Sequence, residues 1–371
     1  MLAAIALSKV SILSVDQWVE QVLTYRQEYS VEAKEGSSGP TVEVKLVGAP
    51  TDRAATLRQP DSRLGLVVEN RLLTAADAPS DAVTDCGSEF ELPEGMSYQA
   101  GDYLAIACAV QDLAGTRGML AYSDRHLGHA YSVSVLSHDA TSTNDVTAGF
   151  VEIGQVATKR NVSTLLEHAK DPATRADLEA LVSAYSVKDG QPTTSSMLDL
   201  LEKYADIDLP LGVFIASLPA MRLRQYSISS SPLWNPSHVT LTVGVVAQGQ
   251  FLGVASNYLA NLRKGDRVQM SVRPSAKGFH PPSQPEVPMV LFAAGSGLAP
   301  FRGFIQERAM QKQAGRDVGK CVLFFGCRKA SEDYLYSEGE LGEWSKLGVV
   351  DVRPAFSRAA EESEGQKYVQ E

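Results

Sequence analysis

Long hydrophobic runs are missing from this 371-residue chain. Nowhere do apolar residues continue for the ~18 positions that a membrane-spanning helix needs. The short apolar stretch in MLAAIALSKVSIL has no basic segment before it and no small-residue cleavage site after it, so a soluble, cytoplasmic protein is expected. Cysteine is scarce: Cys86, Cys108, Cys321 and Cys327 are scattered, with no CxxC pair. That excludes a disulfide framework and a zinc knuckle, and favours a reducing compartment. Basic charge is short as well, 34 Lys and Arg against 44 Asp and Glu for a net charge of -10. A protein that grips nucleic acid through its phosphates needs the opposite balance. His126 and His129 lie three apart, but no carboxylate or further histidine beside them completes a metal site. Trp18, Trp234 and Trp344 are too far apart to form an aromatic platform. What is there, 44% hydrophobic and 21% charged residues, suffices for a sizeable core in two or more lobes.

Residues 15–29 space Val15, Trp18, Val19, Val22 and Leu23 as one amphipathic helix, and KEGSSGPT at 34–41 reads as a linker. From residue 64 the pattern turns to strands, LGLVVENRLL and then EFELPEGMSYQAGDYLAIACAV, with PEG and AGD as turns of an antiparallel barrel. Between about 158 and 220 leucines recur at helical spacing in NVSTLLEHAK, PATRADLEALVSAY and SSMLDLLEKYADI. Asp171-Pro172 and Ser195-Ser196 are expected helix starts. Strand character returns at 224 in RQYSISSS, HVTLTVGVVA and DRVQMSVRP, which makes the helical block an insertion. From about 286 the order is PMVLFAAG, a buried strand; APFRGFIQERAMQKQ, a helix; CVLFFGC, a second buried strand; SEDYLYSEGELGEWSKLG, a second helix; and VVDVRPAF, a third strand. That alternation is half of a doubly wound nucleotide fold.

Four segments carry chemistry. Gly295-Ser296-Gly297 follows a strand and precedes a helix, where backbone N–H groups can meet a pyrophosphate. Arg224-Gln225-Tyr226-Ser227 sets a cation, an aromatic ring and a hydroxyl along one strand. Gly253-Val254-Ala255-Ser256 opens a short helix. Ser357-Arg358, with Lys367 and Tyr368 beyond, clusters hydroxyl and cations past the carboxyl end of the third strand. Each segment alone has an ordinary structural reading too: a tight connection, a half-exposed strand, a helix cap, a solvated loop. Cys321 and Cys327 read as small buried hydrophobes, and Glu361, Glu362 and Glu364 as a solvated loop.

In this order, RQYSISSSP, GVASNYLANLRKGD, GSGLAPFRGFIQER, FFGCRKASEDYLY and AFSR…KYVQ closely resemble the diflavin reductases. Within that family they resemble specifically NADPH cytochrome P-450 reductase and the reductase half of self-sufficient monooxygenase fusions. The resemblance covers about residues 64–370. It implies an antiparallel FAD-binding β-barrel with a helical insertion, followed by a truncated doubly wound NADPH-binding domain, α+β and α/β in class. It places the insertion at about 110–220 of a barrel domain spanning 41–285, with a partial NADP-binding domain at 286–371. Residues 1–40 are expected to be the last helix of a flavodoxin-like domain and its linker. For FAD it implies Arg224 and Gln225 at the phosphate strand, Tyr226 on the ring and Ser227 beside the flavin's reactive edge, as the catalytic hydroxyl. Thr242, Val243 and Gly244 would line the flavin, and Gly253, Val254, Ala255 and Ser256 would cradle its pyrophosphate. For NADPH it implies Arg71, Ser296, Ser357, Arg358 and the run Gln366, Lys367, Tyr368, Val369 and Gln370.

The family continues beyond a KYVQ segment to a Cys-Gly-Asp strand end and a terminal aromatic residue, neither of which occurs here. The expectation is a piece of a longer reductase that holds FAD better than it turns over NADPH, with FMN bound elsewhere in the intact protein. With half of the doubly wound sheet, PMVLFAA would be left as an apolar edge. The implied acceptor is a cytochrome P-450-type haemoprotein reached through FMN. A reductase portion of the sulfite reductase or nitric oxide synthase kind, serving another acceptor, and a non-catalytic FAD-binding fragment remain alternatives.

Overall fold

The computed structural model describes residues 61–75, 84–108, 151–185, 193–248, 251–275 and 278–371. The helix expected at 15–29, the linker at 34–41, His126 and His129, and the first part of the expected insertion lie outside them. Six strands form the larger sheet: β1 (Arg63–Leu72), β2 (Thr84–Glu91), β3 (Tyr103–Ile106), β4 (Arg224–Ser227), β5 (His238–Val245) and, after the short pair β6 (Ala247–Gln248) and β7 (Phe251–Leu252), β8 (Arg267–Arg273). Their order is β4-β3-β8-β1-β2-β5, and every pairing is antiparallel. Alternate residues such as Val239, Leu241 and Val243 turn inward, as the period-2 pattern requires. They meet Val67, Phe90, Leu104, Ile106 and Met270 in one core. An antiparallel bridge, Ile228 to Leu241, links the chain just past β4 to β5 at the opposite edge. The AGD turn is held by Gly101, whose φ of 104° suits a residue without a side chain. A Cβ there would strike the Phe279 carbonyl.

Between β3 and β4 come α1 (Lys159–His168), α2 (Pro172–Ala184), α3 (Met197–Lys203) and α4 (Leu211–Ser217). The expected starts hold. Asp171 caps α2 with Pro172 in its first turn, and Ser196 forms a reciprocal capping box with Asp199 on α3. Leu165, Leu178, Leu200 and Leu201 are buried. Residues 210–216, most of α4, group apart from the compact unit that holds the rest of the described elements.

The second sheet is parallel, in the order β11-β10-β9, with β9 (Met289–Ala294), β10 (Cys321–Cys327) and β11 (Val350–Phe356). Helix α6 (Ala299–Gln313) connects the first two strands; α5 (Val254–Asn261) lies earlier, between β7 and β8. Two expectations need correction. SEDYLYSEGELGEWSKLG is not one helix but two short ones, α7 (Ala330–Asp333) and α8 (Glu340–Lys346). Between them Tyr336 takes a φ of 62°, its hydroxyl bonded to Thr242 of the larger sheet at 2.7 Å, a tertiary contact that overrides helical propensity. Strand β9 is buried on one face only. Met289, Leu291 and Ala293 pack under Phe304, Ile305 and Trp344, while Val290 and Phe292 stand 62% and 56% exposed.

Candidate functional site

Strand β4 pairs with β3 in the register Ile106–Arg224 and Leu104–Tyr226. Arg224 and Tyr226 therefore share one face, and Gln225 and Ser227 the other. Tyr226 is half-buried against the core, and burial drives its phenol well above the usual range. Arg224 meets a residue that the sequence did not single out: the buried Glu152 carboxylate accepts from both terminal nitrogens, at 2.7 and 3.0 Å. Only the fold brings the two together, 72 positions apart.

Helix α5 starts at Gly253 with no side-chain cap. A Cβ at Gly253 would lie 2.8 Å from Ser256 Oγ and 2.9 Å from Val246 Cβ, so only glycine fits this turn. Ser256 Oγ is engaged within the turn, accepting from the Val246 N–H at 3.0 Å. The N–H groups of Val254, Ala255 and Ser256 have no acceptor among the described residues, which is the donor set that a pyrophosphate needs. These residues fit the phosphate-bearing part of a flavin dinucleotide.

Val243 belongs to the core, whereas Thr242 meets Tyr336, between α7 and α8, and Gly244 meets the glycine turn after β9. A Cβ on Gly244 would lie 3.2 Å from Ser296 Oγ and 3.4 Å from Asp85 Oδ1. The structure thus brings Ser296, an expected NADPH residue, against a strand expected to line FAD. Its glycine turn, Gly295–Leu298, runs uncapped into α6, with Gly295 at a φ of 52°. Behind it, Arg302 is buried; it donates to Glu340 at 2.7 Å through two nitrogens, to Thr240 Oγ1 at 3.0 Å and to the Ser229 carbonyl. Gln306 accepts the Ser231 N–H at 2.8 Å, and Glu307 accepts the Ser231 hydroxyl at 2.9 Å.

Asp85 went unnoticed in the sequence. It is 1% exposed, and neither carboxylate oxygen has a partner among the described residues. Burial, reinforced by the Asp333 carboxylate, pushes it up to about 6. No local pattern marks such a residue, since its isolation is a property of the packing.

Past β11, Ser357 donates its N–H to the Cys327 carbonyl at 2.9 Å, and Arg358 its N–H to Arg328 at 2.9 Å. The Gln366 carbonyl accepts from Phe356 at 3.2 Å, and Val369 lies over Gly326 of β10. Ser357, Arg358 and the 366–370 run thus gather at the carboxyl ends of β10 and β11, with Lys367 and Tyr368 exposed. Among the described residues, the buried side-chain oxygen of Gln366 has no partner there. Arg71 is exposed on β1, opposite Gly87, and its charge acts on the Tyr336 phenol between α7 and α8. All four cysteines are free and buried, and burial lifts the Cys86 and Cys321 thiols to about 11 and about 12, which leaves them unreactive. Among the described residues no cluster could hold a metal ion, and no helix is long and apolar enough to cross a membrane.

Residues 85–258 match the FAD binding domain family and residues 291–371 the oxidoreductase NAD-binding domain family. The chain is 51% identical over 358 residues to a self-sufficient cytochrome P450 monooxygenase of Phanerodontia chrysosporium, covering 93% of this chain and 33% of that protein. It is 41% identical over 372 residues to a bifunctional cytochrome P450/NADPH–P450 reductase of Fusarium oxysporum, covering 96% and 34%. The chain spans about one third of the length of these curated relatives. With both nucleotide-binding domains in this order and with this degree of identity, the chain belongs to the diflavin reductase family that includes the reductase portion of P450 fusion proteins.

Proposed function

We propose that this chain is the FAD- and NADPH-binding portion of a reductase that passes electrons from NADPH through FAD, and then FMN elsewhere in the whole protein, to a cytochrome P450-type haemoprotein. The observation that carries this reading is the seating of Ser296, in the uncapped glycine turn, against Gly244 of β5. A nicotinamide donor held at that turn is delivered to the sheet that carries the flavin residues.

The chemistry supplied by the bound flavin is acceptance of a hydride and release of single electrons. The chain's part is to bind and align. Arg224 takes a flavin phosphate, the open N–H groups of Val254, Ala255 and Ser256 take the pyrophosphate, and Tyr226 and Ser227 orient the ring and its reactive edge. Thr242 and Gly244 line the junction. Ser357 and Arg358 hold the 2′-phosphate and select NADPH over NADH, with Gln366 to Gln370 along the adenosine and Arg71 at the rim. The Ile228–Leu241 bridge supports closure of the six-stranded sheet into a barrel, with the helices α1 to α3 in its insertion; the FAD-binding domain is read at 41–285 and the NADP-binding domain at 286–371.

The test is reconstitution with excess FAD followed by gel filtration. A yellow protein with a perturbed flavin spectrum, slowly bleached by NADPH, is expected. Colourless protein, or full flavin retention in Arg224→Ala, would overturn the assignment.

A further inference from the structure

Glu152 is 5% exposed and is itself fixed by backbone pairing: its N–H donates to the Pro219 carbonyl at 2.9 Å, and Val151 bridges Ala220. Its Oε1 accepts from the Arg222 N–H at 3.0 Å and from Arg224 Nη1 at 2.7 Å, and its Oε2 accepts from Arg224 Nη2 at 3.0 Å. Nη1 gives its second proton to the Arg222 carbonyl at 2.7 Å. A guanidinium has five N–H bonds, and three are occupied in this way. The two that remain without an acceptor among the described residues, on Nε and on the Nε side of Nη2, lie side by side along one edge. That edge is the fork that takes a phosphate through two parallel bonds.

We propose that Glu152 is a positioning residue for FAD, clamping one edge of Arg224 so that the other fork is presented to the flavin's phosphate. The proposal rests on the reading of Arg224 as the phosphate ligand. It reverses the expectation from charge alone. A carboxylate near a phosphate site should weaken binding, so its removal should tighten it; a clamp predicts the opposite.

FAD is titrated into the apo form of the full chain, followed by quenching of flavin fluorescence, for wild type, Glu152→Gln, Arg224→Ala and the double variant. Arg224→Ala is expected to weaken binding about 100-fold and Glu152→Gln about tenfold, the sizes expected for losing a charge-assisted fork and for misaligning it. The double variant should bind no more weakly than Arg224→Ala, because Glu152 acts only through Arg224. Riboflavin, which lacks phosphate, should bind wild type and Glu152→Gln alike. FAD binding to Glu152→Gln that equals or exceeds wild type, beside a weakened Arg224→Ala, overturns the clamp and leaves the Arg224 reading standing. A further loss in the double variant also overturns it. Undiminished binding by Arg224→Ala removes the Arg224 reading and the clamp with it. If Glu152→Gln does not fold, Glu152→Asp, which withdraws the charge by one methylene, is expected to show the same loss, and wild-type affinity there overturns the proposal.

Discussion

Replacing Asp85 with asparagine should make the protein more stable at neutral pH and leave it unchanged in mild acid. The carboxyl is shut away from water with both oxygens unpartnered among the described residues, and burial moves it from 3.8 up to about 6. Below the unfolded value it is protonated in both states and costs nothing. As the pH climbs from there to the folded value, the unfolded chain ionises first and the native state loses ground. Above the folded value the full cost persists. A shift of this size, at about 1.4 kcal/mol per unit, amounts to roughly 3 kcal/mol. Asparagine keeps the shape of the protonated carboxyl and cannot ionise. In a domain of this size that gain corresponds to roughly 5–10 °C in the unfolding midpoint. Thermal unfolding of both proteins, without added nucleotide, should be followed by circular dichroism at pH 4 and pH 7.5. A variant no more stable than wild type at pH 7.5, or one that gains equally at both, would refute the reasoning.

Two further outcomes follow from the packing. Arg302→Met leaves Glu340 and the Ser229 carbonyl without their buried donor, and should lower the denaturation free energy by about 3 kcal/mol in urea titrations; an unmoved midpoint would show that the stem packing of Arg302, not its charge, holds α6. Phe292→Lys places a charge on the uncovered face of β9, where Phe292 stacks on Phe324 with ring centroids 4.9 Å apart. Self-association measured by sedimentation velocity should fall while the melting temperature moves little, and association that stays unchanged would assign the contact to another surface.

How much of this was legible in the sequence depends on the range of the interaction that decides each element. Asp171 and Ser196 announced their helices because a cap is settled within three residues. The glycine turn and β4 announced themselves for the same reason. The break between α7 and α8 did not, since Tyr336 leaves the helical path to reach Thr242, which lies 94 positions earlier. Nor did Glu152, whose role exists only once the chain has folded it onto Arg224. Strand β9 read as buried because its composition is apolar throughout, yet α6 and α8 cover a single face, and alternation then exposes Val290 and Phe292.

The serines after β4 acquire a meaning that their sequence alone does not carry. Arg224–Ser227 runs, after Ile228, straight into Ser229, Ser230 and Ser231, all three fully buried. Helix α6 grips that triplet through Arg302, Gln306 and Glu307, and Gly303 lets the helix approach so closely that a Cβ would lie 2.9 Å from the Ser230 carbonyl. The same helix begins at the glycine turn that carries Ser296. The path from β4 to the glycine turn is therefore four residues of buried chain, one set of charge-assisted bonds and one turn of helix. The turn cannot shift relative to β4 without uncovering the Arg302 guanidinium or stripping Ser231 of its acceptors, each a cost of several kcal/mol. On the function proposed above, the spacing between the two nucleotide sites is then a property of the folded chain before either nucleotide arrives. Alignment of donor and acceptor then draws little on binding energy, which remains available for affinity and for discrimination at the 2′-phosphate.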